Sequence, residues 1–100
     1  MEIREEKLDD AIELFVSGEI DGTTVDEFDE KVNAAADKTK SLILNLEGLE
    51  YVSSTGLRVF LTLQKKMRQR GDEVVIRHAN DEVMAIFSVT GFVKLLNFEA

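Results

Sequence analysis

Residues 53–58 read "SSTGLR". Ser53, Ser54 and Thr55 place three adjacent hydroxyls directly ahead of Gly56 and an apolar run. A hydroxyl can be a nucleophile, a helix cap or a phosphate acceptor. A serine nucleophile needs a base, and an acid to orient that base. The chain has one histidine, His78. It follows "EVVIR" and reads as an ordinary strand-end residue. The triplet also lacks the glycine-flanked elbow that exposes a catalytic serine. There is no cysteine, hence no thiol nucleophile and no Cys-based zinc site. The carboxylates are scattered rather than set at ligand spacing, and no glycine motif that cradles phosphate is present. The chain is not expected to be an enzyme, nor to hold a metal or cofactor of its own.

Two roles remain for the triplet. Hydroxyls between a strand and an apolar helical pattern are an N-cap signature. One of them would accept a backbone N–H bond and contribute about 1 kcal/mol. That accounts for one hydroxyl of three. Phosphorylation is the sharper alternative, because a helix N-terminus offers free N–H groups and a positive dipole end. Each phosphate adds about −1.5 to −2 of charge to the surface. An interface placed there could be broken without harm to the fold. Residue chemistry alone does not choose between these roles.

The elements that must position the triplet follow from hydrophobic period. Residues 2–7 form a first strand and 11–16 a second, joined by a turn at Asp9-Asp10. The pair should be antiparallel, with Ile12, Leu14 and Val16 on one face. Thr24 reads as a helix cap with Glu27 as its capping-box partner. Val25, Phe28, Val32, Ala35 and Ala36 form the helix stripe, which ends near Lys38. "SLILNL" at 41–46 is almost wholly apolar and reads as a strand buried on both faces. "EGLEYV" is a loop into the triplet. A second helix carries Leu57, Phe60, Leu61, Gln64 and Met67 along its stripe, with Val59 and Leu63 off it, and stops at Gly71. "EVVIRH" at 73–78 is a strand. Asn80 caps a third helix that Gly91 ends. "LLNFEA" at 95–100 reads as a last strand, with "FVK" before it a candidate helical turn. The fold class is therefore α/β, in the order β-β-α-β-α-β-α-β. The sheet is mixed, mostly parallel, and carries helices. In such sheets functional sites gather where strands end and helices begin.

The chain has 100 residues, which fits one domain. Its net charge is −8, so phosphate backbones and anionic headgroups repel it. "KKMRQR" at 65–70 is read as a helix end whose cations complement the dipole, not as a nucleic-acid patch. Six acids and no base lie between Glu19 and Glu30. They are read as a solvated face, or else as a docking surface for a basic partner. No apolar run is long enough to span a bilayer. "MEIREEKLDD" lacks a signal-peptide core. A cytoplasmic location is expected.

Three segments resemble one family. "SGEIDGTT" at 17–24, "LILNLEGLEYVSSTGLRVFL" at 42–61 and "VMAIFSVTGFVKLLNFEA" at 83–100 occur in the order seen in bacterial anti-sigma factor antagonists of the STAS superfamily. The middle segment is the specific one. The resemblance implies a single STAS-like domain over 1–100 that binds an anti-sigma factor. That partner is also a serine kinase, and binding it frees the sigma factor. The kinase would phosphorylate Ser54, with Ser53 the second choice, and so end binding. A metal-dependent serine phosphatase would restore it. ATP and magnesium would belong to the kinase. Glu19, Asp21, Ser53, Ser54, Thr55, Gly56 and Arg58 are the implied partner surface. Arg58 lies one turn past Ser54 and could pair with its phosphate. The family often has aspartate where Ser53 stands. It also usually carries a further C-terminal helix, whose lack would leave apolar sheet exposed and invite self-association. A constitutive STAS subunit of a lipid or anion transporter complex is the alternative, and neither reading involves direct contact with nucleic acid or membrane.

Overall fold

The computed structural model describes residues 1–99. Strands β1 (Glu2–Lys7) and β2 (Ile12–Ile20) pair antiparallel in the register Ile3↔Val16 and Glu5↔Leu14. The turn between them closes through the Leu8 amide on the Ala11 carbonyl at 2.8 Å. Helix α1 (Val25–Ala36) leads to β3 (Ser41–Asn45), which lies parallel to β2. Strand β4 (Leu49–Val52) follows, then α2 (Ser54–Gln69), β5 (Glu73–Arg77) and α3 (Asp81–Val89). The main sheet order is β1-β2-β3-β5, and β4 pairs with the far end of β2.

The rows Ile12–Leu42–Val74 and Leu14–Leu44–Ile76 run across the sheet and are buried. They share a core with Phe28, Val32, Ala35 and Ala36 of α1 and Leu57, Phe60, Leu63 and Met67 of α2. Each large apolar side chain among them contributes roughly 1.5–3 kcal/mol on burial. Phe28, Phe60, Phe87 and Phe98 stack edge-on or tilted in a ladder with centroids 5.1–5.6 Å apart.

The expected order needs two corrections. "EGLEYV" is not wholly loop: Leu49–Val52 is a strand, because β2 continues past Val16 to Ile20 and offers it a parallel partner. Gly18 makes that continuation possible. Its φ of +89° lies where side chains are strained, and the register shifts between Gly18 and Glu19. The last strand shrinks to one bridge, Ile76↔Phe98, after a 3-10 turn at Phe92–Lys94. The Gln64 carboxamide takes over the pairing there, bonding the Leu95 carbonyl and the Asn97 amide. Ala100, the end of the expected strand, lies outside the described residues.

Smaller differences have equally local causes. Ile43 is only half-buried, so β3 is not covered on both faces. On that second face Arg4 stacks over Phe15 at 4.0 Å, and buried Glu13 accepts from Asn45 and Arg77, both at 3.0 Å. Leu63 is a core residue, whereas Leu61 is half-buried. The basic stretch at 65–70 is spent largely on α1: Lys66 meets Asp37 at 2.9 Å, and Arg70 donates to the carbonyls of Ala36 and Thr39. The Ala36 carbonyl is one that the end of α1 leaves open.

Candidate functional site

Val52 ends β4 and Ser53 turns the chain into α2. Ser53 has extended backbone (φ −79°, ψ 170°), and its hydroxyl oxygen accepts the Gly56 amide at 3.2 Å. It is the N-cap. The same hydroxyl lies 2.9 Å from the Thr55 hydroxyl. Ser54, the first helical residue, is exposed, and among the described residues its hydroxyl has no hydrogen-bond partner. Its amide and that of Thr55 are among the helix donors that lack an intrahelical acceptor. The positive end of the α2 dipole therefore lies beside the one unengaged hydroxyl of the triplet.

Gly56 is buried for a steric reason. A Cβ there would stand 2.8 Å from Ile20 Cγ2 and 2.8 Å from Val52 Cγ2. The first turn of α2 is thus pressed onto the joined ends of β2 and β4. The Ser53 amide donates to the Ile20 carbonyl at 2.8 Å, extending that pairing by one residue.

This pairing brings the second expected segment alongside the first. Asp21 follows Ile20 as Ser53 follows Val52, so the two loops leave the sheet as neighbours. Glu19 is exposed opposite Tyr51. Asp21 is engaged within its own loop: its Oδ1 accepts from the Thr23 amide at 2.9 Å and the Thr23 hydroxyl at 2.7 Å. Chiefly the Thr23 hydroxyl holds the Asp21 carboxyl below its ordinary value. Thr24 does not cap α1 with its side chain. Its hydroxyl donates to the Glu19 carbonyl at 2.8 Å and accepts the Asp21 amide at 2.9 Å. The capping-box expectation fails because this loop closes on itself. Arg58 is exposed and forms no ion pair among the described residues. It remains free to meet a phosphate or a partner.

Two residues at the site were not expected in these roles. Tyr51, 46% exposed, is the large apolar surface closest in sequence to the triplet. Asn80 caps α3 as expected, but its amide nitrogen also reaches back to the carbonyls at the start of β4. Those partners are more than 30 residues away, so no local pattern signals them. His78 lies 3.7 Å from Glu47 rather than on Ser53, whose hydroxyl is already engaged. A cleft of about 770 Å³ lies at the opposite end of the parallel strands, between the 7–12 turn and residues 37–40. It is not part of this site. No group of three or more acidic or histidine side chains suited to a metal occurs among the described residues.

The STAS domain family matches residues 2–100. This chain belongs to that family. Within it, an anti-sigma-B factor antagonist of Staphylococcus aureus is 34% identical over 86 residues, 85% of this chain and 80% of the relative. An anti-sigma factor antagonist structure from Mycobacterium paratuberculosis superposes with a TM-score of 0.86 at 22% identity, covering 97% of this chain and 83% of that one. The unphosphorylated anti-sigma factor antagonist SpoIIAA gives 0.80 at 17% identity, covering 99% and 89%. These two structures establish a shared fold. The curated relatives of this STAS chain are named as anti-sigma factor antagonists, a regulatory role and not an enzymatic one. No helix among its described residues is long and apolar enough to cross a membrane.

Proposed function

We propose that the chain is an anti-sigma factor antagonist switched by phosphorylation of Ser54. It binds an anti-sigma factor that doubles as a serine kinase, and the sigma factor is released. Phosphate on Ser54 ends that binding, and a metal-dependent serine phosphatase reverses it. ATP and magnesium serve the kinase, and the exchange takes place in the cytoplasm. The curated relative named as an antagonist favours this over a transporter subunit.

The observation that carries the switch is the division of labour in the triplet. Ser53 is tied to Gly56 and Thr55, while Ser54 is exposed with its hydroxyl unengaged. The partner surface is Ser53 to Gly56 with Glu19, Asp21 and Arg58 around it. Surface charges of this kind act mainly on association rate and specificity. A new dianion at its centre adds bulk and a desolvation cost that a docked interface must meet, while the helix dipole tolerates it within the fold.

The test is phosphorylation by the cognate anti-sigma kinase and ATP, with the site located by mass spectrometry. Phosphate is expected on Ser54. Phosphate found only on another residue would remove Ser54 as the switch. A Ser54→Asp variant should bind the kinase more weakly, by about tenfold or more; a tenfold loss is about 1.4 kcal/mol. Unchanged affinity would count against a charge mechanism.

A further inference from the structure

The chain leaves β5 at His78, whose φ of +57° is unusual for a residue with a side chain. That reversal delivers Asn80 beneath the β3–β4 connection. The Asn80 carboxamide has both ends engaged. Its Oδ1 accepts the Val83 amide at 3.0 Å and so starts α3. Its Nδ2 donates to the Leu49 carbonyl at 2.6 Å and the Glu47 carbonyl at 3.2 Å, with the Leu46 carbonyl at 3.5 Å. An amide nitrogen has two protons, so the two nearer carbonyls take them.

Those carbonyls lead directly into β4. The strand has four residues and pairs with β2 alone, off the main path of the sheet. Strands that short, held along one edge, are marginal by themselves. Asn80 pins the first residue of β4, and Ser53 and Ser54 come directly after the last. The N-terminus of α3 is thereby fastened to the segment that presents the hydroxyl.

We propose that Asn80 is a positioning residue, whose carboxamide holds β4 in the place from which Ser54 is offered to a kinase. This rests on Ser54 being the phosphoacceptor. Ser54 lies at a helix start whose other end is fixed by core packing. On the strand side Leu49 and Val52 are buried, and Asn80 adds the side-chain bond that fixes the backbone at the head of β4. A small displacement of a reacting group costs rate steeply, up to about a hundredfold for 1 Å.

The test separates the clasp from the cap. Asn80→Ser and Asn80→Asp both retain an oxygen that caps α3, and both lack the amide donor. A Val32→Ala variant, in the core of α1, supplies a control of matched stability loss. Hydrogen exchange of the whole chain is followed together with kcat/KM for phosphorylation by the cognate kinase, at a temperature where every variant is folded.

Both Asn80 variants should exchange faster than the control at residues 48–53, by about tenfold, the equivalent of one lost hydrogen bond. They should also lose about tenfold in kcat/KM, while Val32→Ala keeps it. Exchange at 48–53 no faster than in the control overturns the proposal. Faster exchange there with kcat/KM unchanged overturns it equally. A wild-type chain that the kinase neither binds nor phosphorylates overturns the proposed function instead. The exchange comparison needs no kinase and still decides the role of Asn80 in placing β4.

Discussion

The Ser53 amide donates to the Ile20 carbonyl across 2.8 Å, while the Ser53 hydroxyl accepts the Gly56 amide at 3.2 Å. One residue therefore closes the β2–β4 pairing with its backbone and opens α2 with its side chain. Ser53→Ala keeps the first bond and deletes the second. It should cost about 1 kcal/mol, a fall in Tm of about 4–8 °C for a domain of this size. Ser53→Asp should keep the wild-type Tm, because aspartate caps as well as serine and suits the dipole. Thermal unfolding of the two variants checks both statements. Equal losses in both would show that the hydroxyl is not the cap.

Gly56 lies inside a helix, where alanine is ordinarily the more stable choice by up to about 1 kcal/mol. Here the sign should reverse. The added Cβ meets Ile20 Cγ2 and Val52 Cγ2 at 2.8 Å. Both methyls sit on β-branched residues with little rotamer freedom, and overpacking costs about 1–3 kcal/mol. Gly56→Ala should therefore lower the urea midpoint. Gly22→Ala, where a Cβ meets nothing within 4 Å, should leave it unchanged or raise it.

Ser53 and Gly56 differ in how far they could be read from the chain. A cap within the hydroxyl triplet and Asn80 as cap were legible, because capping residues lie within three positions of the amides they serve. The buried stripes of α1 and most of α2 were legible from period alone. Strand β4 was not. Its hydrogen bonds go to residues about 30 positions earlier, and β2 reaches it only through an irregularity at Gly18. The steric need for Gly56 was hidden for the same reason, since Ile20 meets it from another strand. Thr24 misled because its competitor acceptor, the Glu19 carbonyl, belongs to a loop geometry that a sequence pattern does not encode. The Ser54 assignment came from resemblance, and the exposed, unengaged hydroxyl supports it independently.

Arg77 holds two carboxylates at once. It donates to Glu13 at 3.0 Å, where the glutamate side chain is only 7% exposed, and to Glu99 at 2.9–3.0 Å. Arg77→Met should leave Glu13 with the Asn45 amide as its remaining partner. Leaving a buried acceptor short of partners costs roughly 1–3 kcal/mol. A double change, Arg77→Met with Glu13→Leu, should recover much of that loss, because the unpaired charge is gone. Urea unfolding of the single and double variants tests this. A double variant no more stable than Arg77→Met would locate the cost elsewhere, in the released contact with Glu99.

Asp21 makes a pH prediction for the loop beside Ser54. The Thr23 hydroxyl and amide hold its carboxyl below the ordinary 3.8. A depressed folded pKa means the folded state prefers the ionised form. Stability from this source is complete above the unfolded value and is lost as pH falls through the folded one. Asp21→Asn cannot titrate. The stability difference between wild type and Asp21→Asn should thus be constant from neutral pH down to about pH 5, then shrink as pH falls through the ordinary 3.8 and below it. Asp37 and Glu99, also depressed by their basic neighbours, titrate in both proteins and cancel in the subtraction. Urea midpoints across this range measure the difference, and a carboxyl NMR titration gives the Asp21 midpoint directly. A midpoint at or above 3.8 would mean that the Thr23 bonds do not form in solution. The loop that flanks the Ser54 surface would then lack the geometry that aligns it.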